Sequence, residues 1–331
     1  MVTGAEITIR TAVFSDGKVE PSDVQALVDL GNAVYIALGD ERRNTPEEVR
    51  MNLEAPDFDA AHDTFIAEQG GQVIGYADLD FHPATGRGWS MFLLHPDHWD
   101  DALGRELLRR VEARCLERGA VECPPEMALR VHRNAVDSDH KSIALFEATG
   151  YEHIRTFNQM KMELDHPMDA PPLPEGLTLR PVELARDAYA IYQADQDAFA
   201  DHWGFEGNTF EEIDHYYFHH PKADPSLWLI AYDGDEIAGF CLNRRFGDED
   251  PSMGWVWDLG VRRPWRKRGL GSALLRRSLA LFQERGFTRA ALGVDSDSLT
   301  NALALYERVG MRVYKRTRIY CKYVRESKSQ H

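Results

Sequence analysis

The residues Arg266-Lys267-Arg268-Gly269-Leu270-Gly271-Ser272 follow a strand-like run, Trp255-Val256-Trp257-Asp258-Leu259-Gly260-Val261, and open a helix-like run that reaches Arg285. A strand that turns through a basic, glycine-bearing loop into a helix aims free backbone N–H groups and the positive end of a helix dipole at one point. The chemistry this offers is anion binding. The three cations add charge beside anionic oxygens, and the two glycines let the backbone approach a phosphate and permit a positive φ in the turn. The spacing excludes two other phosphate loops. No third glycine follows, as the dinucleotide fingerprint requires, and no Gly-Lys-Ser/Thr completes a Walker loop.

The pattern Arg-x-x-Gly-x-Gly after an apolar-x-apolar step, Leu259 and Val261, resembles the acetyl-CoA loop of the GCN5-related N-acetyltransferases, the GNAT family. Downstream, Ala302-Leu303-Ala304-Leu305-Tyr306-Glu307-Arg308-Val309-Gly310-Met311 resembles that family's second signature, Ala-x-x-Leu-Tyr-x-x-x-Gly-Phe. The resemblance implies acetyl-CoA as co-substrate and direct attack by a primary amine of a small molecule: an amino sugar, an aminoglycoside or an amino-acid derivative. It implies that the backbone of Leu259, Gly260 and Val261 holds the pantetheine arm. Arg266, Lys267, Arg268, Gly269, Leu270, Gly271 and Ser272 would hold the diphosphate, and Asn301 would contact the CoA arm. Tyr306 would protonate the departing sulfur.

Many members of the family carry a glutamate on the strand before the loop, where this chain has Trp255. Asp258 is the nearest carboxylate and the candidate general base, with Asp295, Asp297 and Glu206 as alternatives. Strand alternation places its neighbour Trp257 on the opposite face. The acceptor is expected against Phe199-Ala200-Asp201-His202-Trp203-Gly204-Phe205, with His202, Trp203, Glu206, Trp255, Trp257 and Asp295 as contacts. Two other readings stay open: a non-catalytic CoA- or acyl-CoA-binding or sensory module, and a protein N-acetyltransferase.

The elements that must position these residues are written twice. Asp165 to Gly176 is rich in proline and acidic residues and cannot continue a helix or an inner strand. On either side the sequence restarts alike, Ile7-Thr8-Ile9-Arg10 before it and Leu177-Thr178-Leu179-Arg180 after it. Each half then carries helical segments, a glycine-turn hairpin and a strand-loop-helix unit. The expected organisation is a GNAT-like domain over 6–165, a linker over 166–176 and a second domain over 177–325. Each domain is expected as an α/β unit with a mixed, largely antiparallel sheet flanked by helices, with two central strands splayed apart. This tandem layout is similar to that of mycothiol synthase and other bacterial tandem acetyltransferases.

The first half has lost the chemistry. Trp99, Asp100, Asp101 and Ala102 stand where the second half has Arg266, Lys267, Arg268 and Gly269, and Phe146 stands where it has Tyr306. Two carboxylates facing a diphosphate repel it, so residues 6–165 read as a degenerate, structural or substrate-shaping copy.

At 331 residues, with 43% hydrophobic content, the chain can bury two cores. A formal charge of −16 argues against nucleic-acid and anionic-membrane binding and favours cationic substrates. Cys115, Cys123, Cys241 and Cys321 show no C-x-x-C spacing and read as reduced thiols. His202, His215, His219 and His220 come with no thiolate and no H-E-x-x-H, so no metal is expected. No apolar run approaches the roughly 20 residues of a membrane span and no signal-peptide core opens the chain, so a cytoplasmic enzyme is expected.

Overall fold

The computed structural model describes residues 6–205, 207–247, 250–297 and 302–327. The chain forms two compact units, the first made of residues up to Arg155 together with those from Thr317, the second of Thr156–Arg316.

Unit 1 contains strands β1 (Ile7–Arg10), β2 (Phe14–Ser15), β3 (Lys18–Val19), β4 (Thr64–Gln69), β5 (Gln72–Asp78), β6 (Asp80–His82), β7 (Arg87–Ser90), β8 (Phe92–Leu94) and β9 (Leu129–Val136). Its helices are α1 (Pro21–Ala37), α2 (Pro46–Leu53), α3 (Ala60–Asp63), α4 (Asp101–Glu122) and α5 (His140–Ala148). β1, β4, β5 and β8 pair antiparallel in that order, while β7 lies parallel to β9. Leu103, Leu107, Leu108, Val111 and Cys115 recur at helical spacing on α4 and bury one stripe against β5 and β9.

Unit 2 takes in most of β10 (Glu152–Glu163), then β11 (Leu177–Arg180), β12 (Leu229–Asp233), β13 (Glu236–Gly247), β14 (Asp250–Val261), β15 (Arg289–Asp295) and the first residues of β16 (Arg312–Arg325). Its helices are α6 (Leu184–Phe199), α7 (Phe210–Ile213), α8 (Leu270–Glu284) and α9 (Ala302–Arg308). The sheet runs β11-β12-β13-β14-β15-β10; β14 and β15 are parallel and its other neighbours antiparallel. This is the mixed, largely antiparallel α/β architecture expected from the sequence. α8 buries Leu270, Leu274, Leu275, Leu279 and Phe282 against β13 and β14, and so fixes the loop that precedes it to the sheet.

The duplication extends to an irregularity. In unit 1 the β4–β5 register shifts between Ala67 and Glu68, and in unit 2 the β12–β13 register shifts between Ala231 and Tyr232, the same place in each hairpin. A bulge is a specific local kink, so its recurrence marks the two hairpins as copies.

Sequence halves and compact units do not share boundaries. Phe157–Glu163 of β10 pair with β15 inside unit 2, and Thr317–Arg325 of β16 pair with β9 inside unit 1, so each half gives its last strand residues to the other's unit. The proline-rich segment 166–176 belongs to unit 2, where α8 holds it. Gln283 Nε2 donates to the carbonyls of Leu164 (2.9 Å) and His166 (2.8 Å), and Arg277 Nε donates to that of Pro171 (2.7 Å). Among the described residues no helix is long and apolar enough to cross a membrane.

Candidate active site

β14 and β15 run together for four pairs only, Met253–Val256 against Arg289–Leu292. Beyond Val256, β14 stays with β13, pairing Asp258 with Leu242, Leu259 with Cys241 and Val261 with Gly239. The strands fork there, as the sequence reading expected. One edge of Leu259-Gly260-Val261 is left without a strand partner among the described residues. Glycine is required at 260, since a Cβ there would lie 2.3 Å from the Phe240 ring.

The loop beyond Val261 is built to expose backbone. Gly269 caps α8 in the left-handed conformation (φ +83°) and brings no side chain to the helix end. The first-turn N–H groups of Leu270, Gly271 and Ser272 therefore stand open for an anion. Lys267 and Arg268 are exposed beside them. Arg266 has a different task. Its Nε donates to the Val261 carbonyl (3.0 Å), Nη2 to the Ala198 carbonyl (2.9 Å) and Nη1 to Asp201 (3.0 Å), so its fork ties the loop to α6.

At the fork, the β13–β14 register slips between Leu242 and Asn243, leaving Trp257 as an extra residue on β14. The bulge overturns the alternation that put Trp257 and Asp258 on opposite faces, because both meet Tyr217. The Tyr217 ring stacks on Trp257 (centroids 4.5 Å, planes 10° apart), and its phenol is near enough to the Asp258 carboxyl to favour that group's charged form. Tyr217 reaches them from a π-helical turn, Asp214–Phe218, a wide turn of a kind that recurs at functional sites. Arg244 lies 4.2 Å over the Trp257 ring, and His220 meets that ring edge-on at 4.9 Å.

Asp258 is half-buried, and its Oδ2, shut away from solvent, has no hydrogen-bond partner among the described residues. Burial pushes it up to about 6, against the opposing pull of the nearby Tyr217 phenol and the Arg244 charge. A second carboxyl, Asp195 on α6, is 7% exposed and is pushed up to about 8 by burial and then by the Asp258 charge. Tyr306 on α9 is buried at 8% exposure; burial, then the neighbouring Cys241 and Asp258, hold its phenol well above the ordinary range. It stays protonated at neutral pH.

The other expected residues are spread more widely. Trp255 packs on Phe246 (5.6 Å) in a small core with Met253 and Ala291, before the fork opens. His202 stands edge-on to Phe199 (4.6 Å), and Trp203 tilts toward Phe157 (6.4 Å). Asp295 accepts the Asp297 N–H (3.0 Å) at the end of β15, and its charge reaches His202. Asn301 and Glu206 lie outside the described residues. Sequence reasoning missed Asp195, Tyr217 and Arg244. Asp195 did leave a signal, a carboxylate on the buried stripe Ile191, Ala194, Asp195, Ala198 of α6.

A family model described as the acetyltransferase (GNAT) family matches this chain twice, at residues 32–151 and 188–311. The chain belongs to the GNAT family. It is 33% identical over 300 residues to a mycothiol acetyltransferase of Salinispora arenicola, covering 88% of this chain and 91% of that one. A mycothiol acetyltransferase of Geodermatophilus obscurus is 29% identical over 304 residues, with 88% and 92% covered. Among solved structures, a GCN5-related N-acetyltransferase from Sphaerobacter thermophilus matches with a TM-score of 0.76 and 29% identity, covering 98% of each chain. A tandem GNAT protein from the clavulanic acid biosynthesis pathway shares the fold at a TM-score of 0.71 and 17% identity, covering 98% of this chain and all of that one. The protein is an N-acetyltransferase whose acetyl donor is acetyl-CoA.

Against this GNAT site, unit 1 is closed at both places. With Ala102 where unit 2 has Gly269, the helix runs back to Asp101, and the Asp100 carboxylate accepts the Ala102 N–H (2.7 Å). The helix end that a phosphate would use is thus occupied by the chain's own carboxylate. At the fork, the last β7–β9 pair is Ser90 with Arg133, and Arg133 is fully buried. Its guanidinium lies over the rings of Tyr151 (4.4 Å), Phe146 (5.1 Å) and Phe92 (6.0 Å) and donates to the Tyr151 hydroxyl (2.9 Å). In unit 2 the β15 residue of the last β14–β15 pair is Leu292, an uncharged side chain.

Proposed function

We propose that unit 2 acetylates a primary amine of a small molecule by direct attack, with Asp258 as general base and Tyr306 as general acid. The observation that carries this is a half-buried carboxyl at the β14–β15 fork, its Oδ2 without a partner among the described residues, whose charge joins burial in holding the phenol of Tyr306 protonated. Acetyl-CoA supplies an acyl group on a good leaving sulfur. The free edge of Leu259-Gly260-Val261 suits the amides of its arm, and the open first turn of α8 with Lys267 and Arg268 suits its diphosphate.

A carboxyl that burial has pushed above the ordinary range is more basic than an exposed one and so better able to take a proton from an ammonium nitrogen. Asp258 Oδ2, lacking a partner, is the atom placed to do so. Tyr306, held in its protonated form, gives the proton that the departing sulfur needs. Amino sugars, aminoglycosides and amino-acid derivatives share the required amine. The curated relatives are named for mycothiol, so mycothiol lacking its acetyl group is the first acceptor to assay.

Tyr306→Phe tests the reading. Loss of the phenolic proton is expected to lower kcat about ten-fold or more and to leave acetyl-CoA affinity within about two-fold; a kcat equal to that of the parent would remove Tyr306 from the mechanism. Stoichiometry is a separate check. Calorimetric titration is expected to give one acetyl-CoA per chain, because Asp100 and Arg133 occupy the two places a donor needs in unit 1; two sites would overturn that account.

A further inference from the structure

We propose that Asp201 is a positioning residue for both substrates: its carboxylate, held by Arg263 and Arg266, fixes the donor loop and roots the segment 199–205, against which the acceptor is expected, so that a bound donor steadies that segment. The inference rests on the reading of residues 267–272 as the diphosphate site.

The turn that leads into the donor loop spends its cations on one helix end. Arg262, Arg263 and Arg266 lie within five residues, and Asp197 and Asp201 stand four residues apart, in the last turn of α6 and just beyond it. Arg262 Nε donates to Asp197 (3.0 Å), Arg263 Nε to Asp201 Oδ2 (3.0 Å) and Arg266 Nη1 to that same oxygen (3.0 Å). Arg263 Nη2 donates to the other Asp201 oxygen. Arg266 also donates to the Ala198 carbonyl (2.9 Å), one of the four that the end of α6 leaves open, where a cation meets the negative end of the helix dipole. Arg266 thereby caps α6, and Lys267 and Arg268, both exposed, are the cations left to face an anion.

The tie acts on each side. On the donor side, Lys267 sits at φ +60°, in the left-handed region that a lysine adopts at a cost, and such a residue persists where its surroundings fix it. It directly follows Arg266, whose three hydrogen bonds fix the entry to this turn. The turn in its place aims the first N–H groups of α8 outward. On the acceptor side, the chain continues from Asp201 as two short turns. The His202 N–H donates to the Phe199 carbonyl (2.8 Å) and the Phe205 N–H to the His202 carbonyl (3.1 Å), which sets His202 and Trp203 directly beside the clamped carboxylate. A donor that holds Lys267 and Arg268 in place holds Arg266 as well, and through Asp201 the segment that follows.

The test needs no acceptor. CoA is titrated calorimetrically into the parent, Asp201→Asn, Asp201→Glu and Asp197→Asn, and amide hydrogen exchange is followed over 199–205 and 267–272 with and without saturating CoA. Both carboxylates are exposed, so the variants are expected to fold. In the parent, CoA is expected to slow exchange in both segments. Asp201→Asn is expected to bind CoA about three- to ten-fold more weakly, through the loss of two partly exposed ion pairs, and at saturation to show slowing over 267–272 alone. Asp201→Glu, which keeps the charge, is expected to recover the response of 199–205. Asp197→Asn cuts the tie to Arg262 and leaves Arg266 clamped, so it is expected to match the parent in both readings. Two merely structural carboxylates would make Asp197→Asn and Asp201→Asn behave alike, and that result would overturn the inference. So would an Asp201→Asn that matches the parent, or a parent in which CoA slows 267–272 and leaves 199–205 unchanged. If CoA binds the parent without slowing 267–272, the loop reading itself falls and takes the inference with it.

Discussion

Asp258→Asn is expected to lower kcat/KM by about 10²- to 10⁴-fold, the range spanned by a positioned general base. The substitution removes the proton acceptor while keeping the side-chain shape and the contact with Tyr217, so acetyl-CoA affinity should stay within about two-fold. The pH dependence follows from the direction of the shift. The base works when ionised, so kcat/KM of the parent should rise with pH through about 6, where burial has moved this carboxyl, and the acid limb should be missing from the residual activity of the variant. Stability moves the opposite way. A carboxyl whose folded-state value is raised above that of the unfolded chain binds more protons when folded, so stability falls as pH rises from about 4 through about 6 and the loss is constant above that. The variant, which has no charge to bury, should melt no lower than the parent at pH 8. Chain melting measured beside the kinetics separates lost chemistry from lost structure. A loss of less than about five-fold would move the base to another carboxyl, and Asp295 at the end of β15 would be the next to replace.

The proposed donor loop and phenol can be read from the sequence because each is a local pattern. Gly269, Gly271 and the basic run lie within six residues, and the role proposed for them falls to the backbone they leave open. The carboxyl site was legible only in part. Asp258 could be found by its place on the strand, but Tyr217 comes from a turn about forty residues upstream and Asp195 from a helix further still, and no spacing links them. The bulge at Trp257 was hidden for a related reason: alternation assumes a regular ladder, and the slip at Leu242 and Asn243 belongs to the pairing with β13 rather than to β14 itself. The strand exchange was equally invisible. The residue pattern of β10 and β16 does not say which unit's sheet they complete. Arg266 shows the limit of reading by residue type. Its charge and position match a phosphate ligand, yet its guanidinium is committed to two carbonyls and Asp201.

That commitment makes Arg268 the sharper probe of the donor site. Arg268→Glu is expected to weaken acetyl-CoA binding about 10²-fold or more in calorimetry. Losing one charge-assisted hydrogen bond costs about 1.5–3 kcal/mol, and each 1.4 kcal/mol is ten-fold in affinity, before the repulsion of the new carboxylate is added. The fold should persist, since Arg268 is exposed and its hydrogen bond to the Glu175 carbonyl is long at 3.3 Å. Arg266→Glu would not give a clean answer, because it would break the tie between the loop and α6 as well. The substitution at 268 repeats what unit 1 already shows. There Asp101 stands at the matching position, the helix begins at it, and Asp100 closes the helix end from within. If Arg268→Glu binds acetyl-CoA as the parent does, this loop is not the diphosphate site, and the degeneracy of unit 1 must rest on the Arg133-filled fork alone.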